Sequence, residues 1–216
     1  MRIVLLGCPG AGKGSLASLI LEKHHIPYLS TGAYFRKEVA DNTDLGKEIK
    51  HYMESGLLVP DSVTMRVASK MLEAPENENY LLDGFPRTVN QAMMLDELTT
   101  KLGRPLQVIL NLYVKDDEVV YRRLTGRQIC SKCGAIYHTR NHPSKVEGVC
   151  DVCGANLVIR KDDQLESVKI RLNEYYRLTE PMVDYYKMKG NLIELDAELD
   201  SEVLLEEVNS LLEKYK

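Results

Sequence analysis

Short apolar runs alternate along this chain with longer stretches of helical periodicity. The runs are too short for helices and predict buried strands at Ile3–Leu6, Tyr80–Leu82, Val108–Val114 and Leu192–Leu195, with 27–29 as a further candidate. Strands that alternate with helices predict an α/β fold, in which a mainly parallel sheet of about five strands is covered on both faces. Ligands of such sheets bind beyond the carboxyl ends of the strands.

The helical stretches carry apolar residues on one face. Leu16, Leu19 and Ile20 share a face within 15–23, and the stretch 166–189 is helical with a break near Pro181. After Pro60, we expect Asp61 to cap a helix. Its apolar positions recur every four residues at Val63, Val67 and Met71. The C-terminal helix is predicted to have Asp200 or Ser201 as its cap and one apolar face made of Val203, Leu204, Val208, Leu211 and Leu212.

Two stretches interrupt this alternation. Residues 30–59 contain helical pattern but no clear strand, and residues 126–163 contain two glycine turns and little periodicity of the kind that forms a core. We expect both to be insertions at the ligand edge of the sheet. The core domain is then made of 1–29, 60–125 and 164–216.

A glycine-rich loop follows the first predicted strand directly. Gly7 to Lys13 has the pattern G-x-x-x-x-G-K, whose backbone N–H groups can surround a phosphate while the next helix adds its positive end. Gly14 stands where a serine or threonine usually follows, and the hydroxyl comes one residue later at Ser15. That departure favours small nucleotide kinases over GTPases and general ATPases. The alternative is a strand–helix turn without a ligand.

Composition and charge narrow the class of protein. The chain has 216 residues, of which 44% are hydrophobic, and its formal net charge is -4. This is enough for one sizeable core, and the acidic balance argues against non-specific binding of nucleic acid. No apolar run approaches the roughly 20 residues that cross a bilayer, and the first apolar stretch is too short for a signal peptide. We therefore expect a cytoplasmic protein without a membrane partner.

Four of the five cysteines form two Cys-x-x-Cys pairs, Cys130 with Cys133 and Cys150 with Cys153. Without an export signal, this pattern predicts a structural zinc site with four thiolates rather than disulfides. Structural zinc supplies about 10–16 kcal/mol in zinc-finger peptides, enough to order a small segment. Reduced thiols without a metal, an iron–sulfur cluster, and replacement of a cysteine by His138 or His142 are the alternatives.

Several arginines stand at the borders of the predicted insertions and at one strand end. Arginine forms planar, bidentate contacts with phosphate, although each of these residues taken alone is as easily a solvated surface side chain. Their clustering favours phosphoryl transfer, which depends on positioning and charge neutralisation. The arginines concerned are Arg36, Arg87, Arg123, Arg127, Arg160 and Arg171.

Together these motifs resemble the adenylate kinase family over essentially the whole chain, in its long-lid, zinc-containing bacterial form. The resemblance implies a P-loop kinase core with a five-stranded parallel sheet, an NMP-binding insertion at 30–59 and a zinc-containing lid at 126–163. The matching segments are 7–15, 30–32, 59–61, 82–87 with Gln91, 125–127, the four cysteines, and Arg160 with Asp162 and Asp163.

The resemblance further implies the reaction ATP + AMP ⇌ 2 ADP, with Mg²⁺ accompanying ATP and one structural Zn²⁺. We expect a monomer, because no extended heptad and no obvious exposed apolar stripe demands a partner. Lys13 would stabilise the migrating group together with Arg87, Arg127, Arg160 and Arg171. Asp83 would orient water around Mg²⁺. ATP would contact Gly10, Ala11, Gly12, Lys13, Gly14, Ser15, Arg123, Arg127, the main chain near Ile136 and Tyr137, and the backbone of Glu198.

For AMP, the resemblance implies that Thr31 and Gln91 recognise the adenine and that Arg36 and Arg87 hold the phosphate. The whole AMP set is Thr31, Arg36, Leu57, Leu58, Val59, Gly84, Phe85, Pro86, Arg87, Gln91, Arg160 and Arg171. Two positions depart from the family pattern. Ala33 stands where many members carry aspartate, and Ser15 replaces the commoner threonine.

Two other functions are alternatives to an adenylate kinase. One is a kinase for another nucleoside monophosphate, or one that uses GTP as the donor with AMP as acceptor. The other is a zinc-ribbon module that binds nucleic acid and is attached to a nucleotide switch. The acidic balance and the lack of an aromatic-rich basic patch argue against the second.

Overall fold

In a computed structural model, which describes residues 1–215 apart from the side chain of Ser201, the predicted apolar runs form a parallel sheet. The strands of the described residues are β1 (Arg2–Gly7), β2 (Tyr28–Ser30), β3 (Tyr80–Asp83), β4 (Val108–Tyr113), β5 (Arg127–Cys130), β6 (Ile136–His138), β7 (Leu157–Val158) and β8 (Leu192–Asp196). The α/β prediction is confirmed.

Helices connect these strands. The α-helices of the described residues are α1 (Lys13–His24), α2 (Thr31–Ala40), α3 (Asp44–Ser55), α4 (Asp61–Glu73), α5 (Val89–Lys101), α6 (Asp117–Thr125), α7 (Leu165–Glu174), α8 (Pro181–Lys189) and α9 (Ser201–Leu212). A 3-10 turn at Lys161–Asp163 precedes α7, and the segment Tyr175–Thr179 is a π-helical turn between α7 and α8. The predicted break near Pro181 therefore begins several residues earlier.

The main sheet has five strands in the order β2-β3-β1-β4-β8, and every neighbouring pair is parallel. Leu5 of β1 lies beside Asp83 of β3 on one side and beside Leu110 of β4 on the other. This register brings the ends of β1 and β3, and hence Gly7 and Asp83, to the same edge of the sheet.

The sheet is buried on both faces, as expected for parallel strands. On one face, Ile3 and Leu5 belong to a cluster with side chains of α1, α6, α7 and α9. On the other face, Val4 and Leu6 pack with α4, α5 and α8, where Tyr186 is fully buried. Apolar residues on both sides of each central strand explain why these runs lack the alternation of a half-exposed strand.

The two predicted insertions have different internal structure. Helices α2 and α3 pack around a small cluster that includes Phe35 and Ile49. The cysteine-containing stretch forms a three-stranded antiparallel sheet in the order β6-β5-β7. Its buried cluster is confined to Cys130, Tyr137 and Cys150, with a few partly buried neighbours.

Two details differ from the sequence predictions. Asp61 is the first residue of α4 rather than its cap, which is Pro60, and the carboxylate of Asp61 bonds to residues of α5 instead. Val203 is 53% exposed and lies off the apolar face of α9. Of the two proposed caps of α9, Asp200 accepts a hydrogen bond from the Glu202 N–H, whereas the side chain of Ser201 is outside the described residues.

Over residues 1–215, the chain contains no helix with the length and apolar character needed to cross a membrane.

Candidate active site

The glycine loop between β1 and α1 adopts a conformation that only glycine accepts easily. A Cβ on Gly7 would lie 2.3 Å from the carbonyl oxygen of Leu112, so β4 packs directly against the end of β1. Gly12 precedes α1 with φ of 91°, in the left-handed region. The first turn of α1 contains no acidic residue, so its free N–H groups and positive dipole end face the loop without a competing negative charge.

Lys13 begins α1 and folds back over the loop. Its ammonium donates to the carbonyl oxygens of Gly7 at 2.7 Å and of Cys8 at 2.8 Å. Burial lowers the pKa of Lys13 to about 8, although the neighbouring Asp83 carboxylate favours the charged form. A phosphate beside this side chain would supply the negative charge that its surroundings lack.

Across the cleft, the end of β3 organises a second group of predicted residues. The carbonyl oxygen of Gly84 accepts from Thr31 Oγ1 at 3.0 Å and from Arg87 Nε at 2.9 Å. Gln91 accepts from the Arg87 N–H at 2.8 Å. Thr31, which lies far from Arg87 and Gln91 in sequence, is therefore held with them around one turn.

Two adjacent carboxylates anchor three of the predicted arginines. Asp163 is fully buried and accepts two hydrogen bonds from Arg127, at 2.8 and 2.5 Å. It also accepts from Arg171 at 3.1 Å, while Asp162 forms a bidentate pair with Arg160 and a further ion pair with Arg171. Burial would raise the pKa of Asp162, but Arg171 and Arg160 outweigh it and hold the pKa at about 2.

The guanidinium groups around Asp162 and Asp163 lie close together, and their pKa values reflect this. Burial, followed by the neighbouring Arg160, lowers the pKa of Arg36 to about 10. Burial likewise lowers the pKa of Arg171 to about 10, against the opposing effect of Asp162, and lowers the pKa of Arg87. Within the described part of the chain, neither Arg36 nor Arg87 forms an ion pair, so both guanidinium groups can receive an anion.

The glycine loop, the turn after β3 and the arginines, but not the buried Asp163, line a single cleft with a volume of about 1270 Å³. The cleft runs from the glycine loop, past Asp83 and the arginines, to Gln91. The residues named from the sequence that line it are Gly10, Ala11, Gly12, Lys13, Gly14, Ser15, Thr31, Arg36, Leu57, Leu58, Val59, Asp83, Gly84, Pro86, Arg87, Gln91, Arg123, Arg127, Ile136, Tyr137, Arg160 and Arg171.

Two named residues lie elsewhere. Phe85 is fully buried in the core beneath the sheet. Glu198 does not line the cleft, and its carboxylate accepts from the Lys115 N–H at 2.7 Å. Its neighbour Ala197 does line the cleft and accepts from Arg123 at 2.8 Å through its carbonyl oxygen.

The two insertions close over the cleft. Ile136 of β6 lies over α1, where a Cβ on Gly14 would be 3.2 Å from its Cδ1. Lys161, at the end of the cysteine-containing stretch, pairs with Glu54 of α3 at 2.8 Å, and Ser167 donates to the Glu54 carbonyl oxygen at 3.3 Å. The structure is therefore a closed arrangement with its charged groups turned inward.

The four paired cysteines form the candidate metal centre. Their Sγ atoms all lie within 4.8 Å of one another, with Cys130 and Cys153 at 3.3 Å and Cys133 and Cys150 at 3.6 Å. A tetrahedral ion with bonds of about 2.3 Å to sulfur needs sulfurs roughly 3.8 Å apart, so the cluster fits a single metal ion with little adjustment.

The surroundings of Cys130 and Cys150 favour their thiolates. Hydrogen bonds from the N–H groups of Cys133 and Lys132 lower the pKa of Cys130, and the Tyr137 hydroxyl lowers that of Cys150 to about 6. The Ala135 N–H lowers the pKa of Cys133, but hydrogen bonds with the neighbouring cysteines, together with burial, outweigh it and raise that pKa to about 12. His138 instead accepts from the N–H groups of Arg140 and Asn141, and His142 stacks on Tyr137. Neither histidine belongs to the metal-binding group.

Sequence reasoning missed three side chains that orient the predicted ones. Tyr28 donates to the Asp83 carboxylate at 2.7 Å, and Thr179 donates to the carbonyl oxygen of Arg87 at 2.8 Å. Asp61 accepts from the Gln91 amide at 2.6 Å. Tyr28 and Thr179 belong to no local motif, whereas Asp61 stood in a matching segment and was assigned to a helix cap.

Comparison with known proteins agrees with these features. A sequence profile of the family described as "Adenylate kinase" matches residues 5–191. The chain is 45% identical over 213 residues to the adenylate kinase of Caldanaerobacter subterraneus subsp. tengcongensis, covering 98% of this chain and 96% of that protein. It is 46% identical over 213 residues to that of Thermoanaerobacter pseudethanolicus, covering 98% of each. With the adenylate kinase of Archaeoglobus fulgidus it shares 43% identity over the full length of both.

Proposed function

The chain belongs to the adenylate kinase family, and from this premise we propose which groups of the cleft hold each nucleotide. It is a phosphotransferase that catalyses ATP + AMP ⇌ 2 ADP. One observation carries the assignment: a single closed cleft joins the glycine loop to the turn around Arg87 and Gln91, with the arginine cluster between them.

The glycine loop end of the cleft binds ATP in this proposal. The N–H groups of 10–15 surround its phosphates, and Lys13 neutralises the phosphoryl group that is transferred. Arg123, Arg127 and the lid residues Ile136 and Tyr137 cover the nucleotide from above. Glu198 contributes through its backbone, and support for this comes from its neighbour Ala197, which lines the cleft.

The opposite end binds AMP. Thr31 and Gln91 contact the adenine, and the apolar wall of Leu57, Leu58 and Val59 lies beside them. Arg36 and Arg87 hold the phosphate, which agrees with their lack of carboxylate partners among residues 1–215. Phe85 supports this turn from the core rather than by contact with the ligand.

Transfer is direct and in line between the two bound nucleotides, without a covalent enzyme intermediate. Arg127, Arg160 and Arg171, fixed by Asp162 and Asp163, neutralise charge on the migrating group. Closure of the lid excludes water, which would otherwise accept the phosphoryl group and waste ATP.

Magnesium and zinc have separate sites in this proposal. Asp83 ends β3 beside the glycine loop, and its carboxylate suits the water shell of Mg²⁺, which supplies charge neutralisation to the ATP phosphates when bound. Cys130, Cys133, Cys150 and Cys153 hold Zn²⁺, because their sulfurs are too close together to enclose an iron–sulfur cluster. The zinc has a structural role, since all four positions are protein thiolates.

We assign 30–59 as the NMP-binding segment and 126–163 as the lid, with 1–29, 60–125 and 164–216 as the core. We propose a cytoplasmic monomer that acts on ATP, AMP and ADP without nucleic acid or membrane partners. The acidic net charge of -4 argues against non-specific binding of nucleic acid.

A panel of acceptors tests the assignment of the two ends. Phosphoryl transfer from Mg·ATP is followed with AMP, GMP, CMP and UMP by a coupled assay of diphosphate formation. We expect AMP to have a kcat/KM well above that of the other three. Equal use of GMP would contradict the role of Thr31 and Gln91, and transfer to water without any acceptor would contradict the role of the lid.

A further inference from the structure

The side-chain amide of Gln91 is held at both of its polar atoms. Its Oε1 accepts from the backbone N–H of Arg87 at 2.8 Å, and its Nε2 donates to Oδ1 of Asp61 at 2.6 Å. Gln91 is only 1% exposed, so water is a poor substitute for either partner.

These partners permit only one orientation of the amide. A carboxylate can only accept hydrogen bonds and a backbone N–H can only donate. A flipped amide would set its oxygen against the Asp61 carboxylate and its nitrogen against the Arg87 N–H, so both bonds would be lost in a buried place.

Asp61 is itself held firmly. As the first residue of α4, it faces the beginning of α5 and accepts through Oδ2 from Thr88 Oγ1 at 3.2 Å and from Asn90 Nδ2 at 2.9 Å. Three donors from α5 and its cap thus converge on one carboxylate. The group that fixes Gln91 is therefore part of the packing between two helices.

We propose that Asp61 is a positioning residue for base specificity, which acts by locking the Gln91 amide in the orientation that matches adenine. This rests on the proposed function, in which Gln91 contacts the adenine of AMP. After its two bonds to protein, Gln91 keeps one N–H and one lone pair. A glutamine amide pairs with adenine through the 6-amino donor and a neighbouring ring nitrogen that accepts.

A 6-oxopurine reverses part of this pattern. Its carbonyl oxygen replaces the 6-amino group, so an acceptor would face Oε1 of Gln91. Accepting such a base would require the amide to flip, which Asp61 and the Arg87 N–H oppose. A site with fixed polar groups rejects an analogue that leaves them unpaired, so the locked amide discriminates against inosine and guanosine monophosphates.

The experiment compares AMP with inosine monophosphate, which lacks the 2-amino group of guanine and so isolates the change at position 6. The ratio of kcat/KM for the two acceptors is measured for the wild type, Asp61→Ala and Asp61→Asn, with thermal unfolding of each. Asn90→Ala is the matched control, because the Asn90 side chain also donates to Asp61 but forms no hydrogen bond with the Gln91 amide among the described residues.

We expect Asp61→Ala to lower the ratio of AMP to inosine monophosphate use on the order of tenfold, and Asn90→Ala to leave it unchanged. Asp61→Asn should fall between the wild type and Asp61→Ala, because an amide at residue 61 can pair with Gln91 in either orientation. If Asp61→Ala does not fold, a lower ratio in Asp61→Asn supports the proposal and an unchanged ratio overturns it.

Loss of the proposed acceptor site and loss of the proposed role of Asp61 give different results in this experiment. Equal use of both acceptors by the wild type would contradict the adenine contact of Gln91 and, with it, the proposed acceptor site. A selective wild type whose folded Asp61 variants keep the same ratio would overturn only the role of Asp61. Variants with weaker activity toward both acceptors and the same ratio would give Asp61 a purely structural role, which also overturns the proposal.

Discussion

Arg127 and Asp163 form a bidentate ion pair that joins the beginning of the lid to its last residue. Arg127 donates from Nε at 2.8 Å and from Nη2 at 2.5 Å, and the Asp163 side chain is fully buried. Arg171 of α7 contacts the same carboxylate. Asp163 therefore fixes two proposed catalytic arginines and both borders of the lid at one point.

Replacing Asp163 with alanine should destabilise the protein strongly, because it leaves two partly buried guanidinium groups without their shared partner. Breaking a buried ion pair from one side costs about 3–5 kcal/mol. The measurement is the free energy of unfolding in urea without ligand. Asp44→Ala is the control, since its pair with Lys47 is exposed and such pairs contribute about 0–1 kcal/mol. Equal losses in the two variants would contradict a structural role for Asp163.

Nucleotide binding should be linked to proton uptake by Lys13. Because the pKa of Lys13 is about 8 in the free protein, roughly half of the molecules carry a neutral Lys13 side chain at pH 8. A bound phosphate favours the ammonium and raises this pKa, so ADP binding takes up a fraction of a proton near pH 8.5 and less at pH 7. Calorimetry in buffers of different ionisation enthalpy measures this number directly.

The matched control is Lys13→Ala, in which the uptake near pH 8.5 should disappear even if some binding remains. Uptake of the same size in this variant would assign the proton to another group. Absence of uptake in the wild type would mean that the phosphate does not meet the Lys13 ammonium.

Removing the Arg87 guanidinium should weaken AMP binding much more than ATP binding. Arg87 has no carboxylate partner within residues 1–215, and a charge-assisted contact of this kind is worth about 1.5–3 kcal/mol. Arg87→Ala should thus raise the KM for AMP by at least about tenfold, with a small change for ATP, in steady-state assays.

Arg66→Ala serves as the control for this experiment, because Arg66 is exposed and its one ion pair within residues 1–215 is a loose pair with Glu48 at 3.8 Å. It should leave both KM values near those of the wild type. Equal effects of Arg87→Ala on ATP and AMP would contradict the assignment of Arg87 to the acceptor phosphate.

Metal removal should destabilise the lid more than it lowers the rate of phosphoryl transfer at low temperature. The buried cluster of the lid is small, and the four sulfurs lie within 4.8 Å of one another, so most of its stability should come from the metal. Chelation of the zinc-loaded protein should lower the melting temperature and increase hydrogen exchange in 126–163, and added Zn²⁺ should reverse both. Unchanged melting after verified removal of zinc would refute the structural role.

Much of the fold followed from the sequence because its strands are buried on both faces. Apolar runs such as Ile3–Leu6 predict central parallel strands, and the position of the glycine loop after β1 fixed the edge at which the cleft lies. The grouping of the four cysteines into one metal-binding cluster could be predicted equally well, because metal-ligand spacing is a local property of the sequence.

The remaining features depend on contacts between distant segments. Asp61 has the local pattern of a helix cap, yet its carboxylate bonds to α5, because tertiary partners at 2.6–3.2 Å replaced the local one. Val203 fits the apolar period of α9 but lies beyond the edge of the surface that α9 covers. Tyr28 orients Asp83 across the end of the sheet, and no spacing in the sequence predicts that contact.

In the proposed function, one closed cleft holds a donor and an acceptor nucleotide with their phosphates meeting at the arginine cluster. Two adenosines joined 5′ to 5′ by five phosphates should therefore bind with one molecule per chain and compete with both ATP and AMP. Calorimetric titration of the full chain, repeated with saturating ATP and with saturating AMP, measures this. Binding of two molecules per chain, or competition with only one of the nucleotides, would contradict the account.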